Sequence, residues 1–343
     1  MYKEKAMAGR TLLTIRNVIL AGVCLQNAGY TLIRKYSTIT ENVSSKEILL
    51  TAEVIKMVVA CWYTVTDREK SDAQGQGIDK LMWLIKNSSK MLVLAGIYGT
   101  MNILSFVALQ YIGAGEFTIC AQLKILTTAG FSVLILRTSM SWTRWRALAL
   151  LVLGCTLVAS PTFTGEQGSK TNEVLLSVFG YAAVLTEVAL SGFASIYFEK
   201  VVKSTTEVVT IWERNVQLGF YSIIMYSCII AYEWTDATNT RAPWSNWSIL
   251  TVMVAAFGAA GGLLVAATLK YADSIMKTLA AAGAIVLSTV LGHMFLDGPL
   301  DVIVSIGGLC TIIAIANYTV SPTPPPALLT RLSTTTTTPV TIN

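Results

Sequence analysis

The sequence predicts an all-α polytopic membrane protein, with ten transmembrane helices in a 5+5 inverted repeat. Three observations predict it. Of 343 residues, 53% are hydrophobic and only 13% charged, whereas soluble domains carry about a quarter charged residues. Ten stretches approach or exceed the ~20 apolar residues that cross a bilayer. Two of those stretches carry a lysine in the same local sequence: 123–135 and 276–288 share Lys, Leu, Ala, Gly, Val and Leu at matching positions, with the lysines at Lys124 and Lys277. A charge at mid-membrane costs about 2.5–3.5 kcal/mol on insertion scales, so it is kept mainly where it has a use.

The ten spans are 11–34, 46–65, 90–111, 115–136, 143–161, 173–198, 211–232, 246–269, 275–296 and 300–320. The first follows a charged N-terminus but is too long for a signal-peptide core, so it reads as a span. The second holds Glu53 and Lys56, three apart on one helical face and able to pair. The third contains Asn102 and joins the fourth, with Lys124, through little more than Ile112-Gly-Ala-Gly115. The sixth carries Glu187 without a local partner, and the seventh carries Asn215 and Gln217. These amides are cheapest on a lined cavity or in an interhelical hydrogen bond. An amide offers donors and an acceptor that suit a nucleobase edge. The eighth (Gly258-Ala-Ala-Gly-Gly262) and tenth (Gly307-Gly308) carry small residues that allow close helix approach. The ninth holds Lys277 near its start, where the side chain could also reach the interface, and His293 near its end, an interfacial position not far from Asp297.

Five spans per half is an odd number. A second copy must then enter the membrane from the opposite side, which is the design of many secondary transporters with a midplane site between repeats. The expected organisation is a cytosolic N-terminus (1–10), a first repeat (11–161), a luminal connection (162–172), a second repeat (173–320) and a disordered cytosolic tail (321–343) rich in proline and threonine. Loops on the side of the termini hold Lys3, Lys5, Arg10, Arg68, Lys70, Lys80, Lys86, Arg137, Arg144, Lys200, Lys203 and Lys270. The other side holds Lys35, Lys46, Lys170 and Arg241, with Arg34 at a span edge. The positive-inside rule puts both termini in the cytosol.

The formal charge of +5 is spread between spans and is no nucleic-acid footprint. The six cysteines fall inside spans and are expected to stay unpaired. Of four sequons, at Asn42, Asn87, Asn246 and Asn317, the topology puts only Asn42 and Asn246 near the lumen. Catalysis is poorly served. No metal-spaced cluster, phosphate-cradling glycine loop or nucleophile elbow appears, and the longest loop, about 66–89, is short. Neither a catalytic residue, a metal nor a cofactor is expected. Two ammonium groups facing one cavity would repel unless an anion bridges them, which favours a cargo with about two negative charges.

Five segments carry a resemblance: Thr51-Ala-Glu-Val-Ile-Lys56, Gln122-Leu-Lys-Ile-Leu-Thr-Thr-Ala129, Ser191-Gly-Phe-Ala-Ser-Ile-Tyr-Phe-Glu-Lys200, Arg214-Asn-Val-Gln-Leu218 and Lys270-Tyr-Ala-Asp-Ser-Ile-Met-Lys277. Over roughly 15–320 the chain resembles the branch of solute carrier family 35, subfamily A, in the drug/metabolite transporter superfamily. That branch holds CMP-sialic acid, UDP-galactose and UDP-N-acetylglucosamine carriers. The resemblance implies a Golgi antiporter that exchanges a nucleotide sugar for a nucleoside monophosphate, CMP or UMP, by alternating access. It implies phosphate binding by Lys124 and Lys277 and base reading by Asn215. It places Tyr98 and Asn102 in the pocket, and Gly192 and Ser195 near the ligand. Glu53 and Lys56, by their own spacing, read as a gating or structural ion pair. The chain departs from the pattern at Phe117 and Ala121, where the family often has tyrosine, and at Gly219, where sialic acid carriers have an aromatic.

Overall resemblance ranks CMP-sialic acid exchanged for CMP first. UDP-galactose or UDP-N-acetylglucosamine with UMP is the alternative. Another metabolite carrier of the superfamily and a membrane-embedded transferase stand behind it. The oligomeric state stays open, a dimer included.

Overall fold

The computed structural model describes residues 2–40, 43–66, 78–160, 174–204, 209–234, 242, 244–296, 298 and 300–321. The expected connection 162–172, the tail beyond Ser321, Asn42, Arg68, Lys70, Lys170, Arg241 and Asp297 lie outside these residues, as do the side chains of Lys3, Lys5 and Arg10.

The apolar runs fold as helices, as they must where no water can satisfy the backbone. In chain order they are α1 (Tyr2–Thr40), α2 (Ser45–Thr66), α3 (Ile78–Lys86), α4 (Ser89–Tyr111), α5 (Ala114–Gln122), α6 (Lys124–Ile135), α7 (Trp142–Val158), α8 (Val174–Val202), α9 (Ile211–Trp234), α10 (Ile249–Tyr271), α11 (Ser274–Leu296) and α12 (Val302–Val320). Among the described residues, eight helices are long and apolar enough to cross a membrane: α2, α4, α5 with α6 taken together, and α8 to α12. The first expected span lies inside the 39-residue α1. The fifth is α7, whose 17 residues reach about 25 Å. Large apolar side chains face outward, among them Leu134, Trp142, Phe295 and Val320, as a lipid-facing surface requires. The six cysteines are free.

One expectation needs correction, and one span shows a local feature. The fourth span runs as expected over Glu116–Ile135, with a tightened turn inside it at Leu123. Leu123 donates its N–H to Cys120 O at 3.0 Å, a three-residue turn, and the N–H groups of Leu126 and Thr127 both reach Leu123 O at 3.0 Å. This tightening ends α5 and starts α6 at Lys124, and such turns inside a helix often mark a hinge. The stretch 66–89, expected as a loop, contains α3. It docks by burying Leu84, 0% exposed, and by an ion pair of 2.8 Å between Lys80 and Glu213 of α9.

Helix pairing organises the rest. The main partners are α7 with α12, α4 with α8, α2 with α9, α1 with both α10 and α11, α6 with α8, α2 with α10, and α4 with α9. Small residues set the closest approaches. A Cβ on Gly154 would lie 2.5 Å from Thr311 Oγ1 and 2.8 Å from Thr311 N, and one on Gly307 would lie 2.7 Å from Val158 N. The glycines of α10 make room for polar side chains: Gly261 faces Gln26, and Gly262 lies under the stem of Lys56. The α7–α12 pair is closed at one end by Arg144, which donates from Nη2 to Ser321 O at 3.0 Å and lies over the Tyr318 ring.

Candidate functional site

Between α2, α4, α8, α9 and α10 lies a cavity of about 260 Å³, lined by Glu53, Lys56, Tyr98, Asn102, Glu187, Asn215, Ser222 and Tyr226, with apolar walls that include Phe198 and Leu218. Each polar member has a structural origin. Glu53 and Lys56 stand one turn apart on α2, and Lys56 Nζ lies 2.6 Å from Glu53 Oε2. Because Gly262 has no side chain, α10 leaves space for the Lys56 stem, so the pair stays buried and nearly neutral. Asn215 sits near the start of α9 and donates to Ile211 O at 2.9 Å, one turn back. Its amide is thereby held with little freedom at the cavity wall. Asn102 and Tyr226 lie near each other on the same lining.

The structure brings Tyr98, Asn102, Asn215, Glu53 and Lys56 to one cavity. It keeps Lys124 and Lys277 off that lining and places them on the neighbouring helices α6 and α11, which pack on each other. Lys124 is the first residue of α6 and is exposed. Lys277 stands in the first turn of α11, where its Nζ donates to Ser195 Oγ at 2.9 Å. The two ammonium groups lie within electrostatic reach of each other. Lys124 thus stands at the turn where α5 passes into α6, and Lys277 in the first turn of α11. Helix α8 joins the two regions, carrying Glu187 and Phe198 on the cavity and Ser195 on Lys277. Gly192 sits on the α6–α8 contact: a Cβ there would lie 2.6 Å from Thr127 Oγ1 and 2.8 Å from Thr128 N.

The start of α11 is locked onto α8. Glu199 Oε2 accepts from Ser274 N at 2.8 Å, Ser274 Oγ donates to Ser195 O at 2.9 Å, and Lys203 Nζ lies 2.7 Å from Glu199 Oε1. Asp273 caps α11 by accepting from Met276 N at 2.7 Å. Burial pushes its carboxyl above the ordinary range, and Glu199 adds to this, against the Met276 N–H and Lys203.

Gln217 does not take the cavity position open to it in the sequence. It is 1% exposed, and its Nε2 donates to Leu84 O at 2.9 Å and Asn87 O at 3.2 Å. The amide satisfies carbonyls at the end of α3 instead. His293 lies on the protein surface, with Nδ1 2.8 Å from Gly298 O. Glu187, Ser222 and Tyr226 join the site from outside the expected set. Only Glu187 was visible in sequence, as a partnerless acid in a span. Ser222 and Tyr226 fall one and two turns beyond Leu218 on α9 and carried no signal of their own.

A model of the nucleotide-sugar transporter family matches residues 11–319. The chain is 34% identical over 257 residues to a UDP-N-acetylglucosamine transporter of Mus musculus, covering 74% of this chain and 78% of that protein. It is 35% identical over 288 residues to a UDP-galactose/UDP-N-acetylglucosamine transporter of Caenorhabditis elegans, covering 82% and 76%. A solved crystal structure shares the fold at a TM-score of 0.63 and 14% identity, over 92% of this chain and 98% of that one. The matched residues run from within α1 to the last turn of α12, and the chain belongs to the nucleotide-sugar transporter family.

Proposed function

We infer that the protein carries a UDP-sugar, UDP-N-acetylglucosamine or UDP-galactose, in exchange for UMP across a Golgi membrane, with both termini in the cytosol. The observation that carries this reading is the pairing of a polar, ring-lined cavity with two lysines at adjacent helix starts. The cavity suits a base and sugar, and the lysines suit a diphosphate. The similar proteins described above are named for UDP-sugars, which favours this cargo over the CMP-sialic acid that overall resemblance ranked first. At about 260 Å³ the cavity is just under the roughly 300–1,000 Å³ of ordinary ligand pockets, so the cargo extends from it toward Lys124 and Lys277.

The ten-span inverted repeat is part of the same reading. Counting α5 with α6 as one span and leaving out α3, exchange of the first five spans for the last five maps the α1–α10 contact onto α8–α4. It maps α1–α11 onto α8–α6 and α2–α10 onto α9–α4, while α2–α9 and α7–α12 map onto themselves. Lys124 and Lys277 are repeat images under this exchange. The halves then rock about the α2–α9 and α7–α12 contacts to expose the site on alternate sides. An empty carrier leaves the two lysines without the cargo's phosphate and returns more slowly than a loaded one, which favours exchange.

Uptake into proteoliposomes tests this. Labelled UDP-N-acetylglucosamine and UDP-galactose should enter vesicles preloaded with UMP faster than empty ones, and CMP-sialic acid should enter poorly. Fast CMP-sialic acid uptake driven by CMP would restore the other cargo. Equal rates with and without preload would remove obligatory exchange.

A further inference from the structure

Glu187 is the one cavity acid that the transport reading leaves unused. Glu53 is matched by Lys56 at 2.6 Å, but Glu187 Oε2 is buried without a hydrogen-bond partner. Ser105 of α4 lies beside the carboxylate, its own hydroxyl donating to Met101 O at 3.1 Å. A bare carboxylate oxygen in the membrane interior is costly, so it is expected to have a cation to turn to. The geometry supplies one. Thr127 of α6 donates its hydroxyl to Val188 O at 3.0 Å, and Val188 is the residue after Glu187. Lys124 is one turn before Thr127, and Glu187 lies within reach of its charge. The other charged groups bordering the cavity are Glu53 and Lys56 on α2, which neutralise each other, and the packed helix α11 brings Lys277, which Ser195 holds.

We propose that Glu187 is an internal counter-anion for Lys124, competing with the cargo phosphate and serving the lysine when the site is empty. The proposal rests on the reading of Lys124 as a phosphate ligand. In the empty carrier the carboxylate swings toward Lys124, across a contact that the Thr127–Val188 hydrogen bond keeps short. A bound diphosphate takes its place, and Glu187 returns to Ser105. Two consequences follow. Glu187 weakens nucleotide binding, because the phosphate must displace it. It also lets the empty carrier reorient, because one of the two lysines keeps a partner.

The test uses the full chain. Glu187→Gln keeps the shape and removes the charge. UMP should bind about tenfold more tightly, and uptake of UDP-N-acetylglucosamine into empty vesicles should fall relative to UMP-loaded ones, giving stricter exchange. In a Lys124→Gln background, Glu187→Gln should change neither quantity. If Glu187→Gln fails to fold, Glu187→Asp, which withdraws the charge by one methylene, should move both readouts the same way by less. Unchanged or weaker UMP binding in Glu187→Gln, or the same effect with and without Lys124, would overturn the proposal. Weakened but measurable UMP binding in Lys124→Gln alone keeps the phosphate reading intact, so the two ideas fail separately.

Discussion

Gly192→Ala is a one-methyl change that should disturb the site without removing a polar group. The added Cβ would lie 2.6 Å from Thr127 Oγ1, 2.8 Å from Thr127 C and 2.8 Å from Thr128 N. The hydroxyl could rotate away, but the other two atoms are backbone and cannot. Ordinary contact starts at 3.4 Å, so α6 and α8 must part by about 0.6–0.8 Å. Overpacking of this kind costs about 1–3 kcal/mol. The strain has two outlets. If α6 holds its place, the protein loses that stability and melts earlier in detergent. If α6 yields, Lys124 moves with it, three residues from Thr127. A charged hydrogen bond worth about 1.5–3 kcal/mol then loosens, and UMP affinity falls about tenfold or more. Thermal melting with and without UMP reads both outlets. A Gly192→Ala carrier with unchanged melting temperature and unchanged UMP stabilisation would refute the α6–α8 contact as the element that sets Lys124.

Glu213→Ala should destabilise the protein by about 3–5 kcal/mol, since it strands a lysine whose side chain is 5% exposed; replacing both Lys80 and Glu213 by leucine should cost far less, and thermal melting compares them. Asp273 gives a pH signature. Its carboxyl is pushed up by burial, so the folded state holds the proton more tightly than the unfolded chain, and this contribution is lost as pH rises through the folded value. Melting curves should therefore show Asp273→Asn gaining on the unaltered protein as pH rises, with its N-cap kept, while Asp273→Ala loses about 1 kcal/mol from the missing cap; parallel pH profiles for all three would contradict this.

The fold was legible where apolar length decides it. Helices cover the expected stretches, with α1 running well past the first at both ends and a turn at Leu123 dividing the fourth, because a membrane-embedded run must satisfy its own backbone. Shifts at the ends follow local caps: α10 starts after Ser248, which accepts from Leu250 N, and α12 after Asp301, which accepts from Val304 N. The break at Leu123 was not legible, because Gln122-Leu-Lys124 contains neither proline nor glycine. Its cause is packing, with Thr127 drawn onto α8 at Gly192. Docking of α3 was equally hidden, since Lys80 and Glu213 are far apart in sequence. At the site, the Glu53–Lys56 pair could be read from spacing alone. Lys277 on Ser195 needed two helices from different parts of the chain. The separation between the lysines and the amide-lined cavity is a property of the packed helices, and spacing along the chain carries no trace of it.

The central claim is that Lys124 and Lys277 hold the phosphate of a uridine nucleotide whose base lies in the Asn215 cavity. Isothermal titration of the purified carrier with UMP and CMP, beside Lys124→Ala and Lys277→Ala, tests it most directly. The account predicts that UMP binds more tightly than CMP and that either alanine substitution weakens both. Undiminished UMP binding by both variants, or no binding of any nucleotide to the unaltered protein, would contradict it.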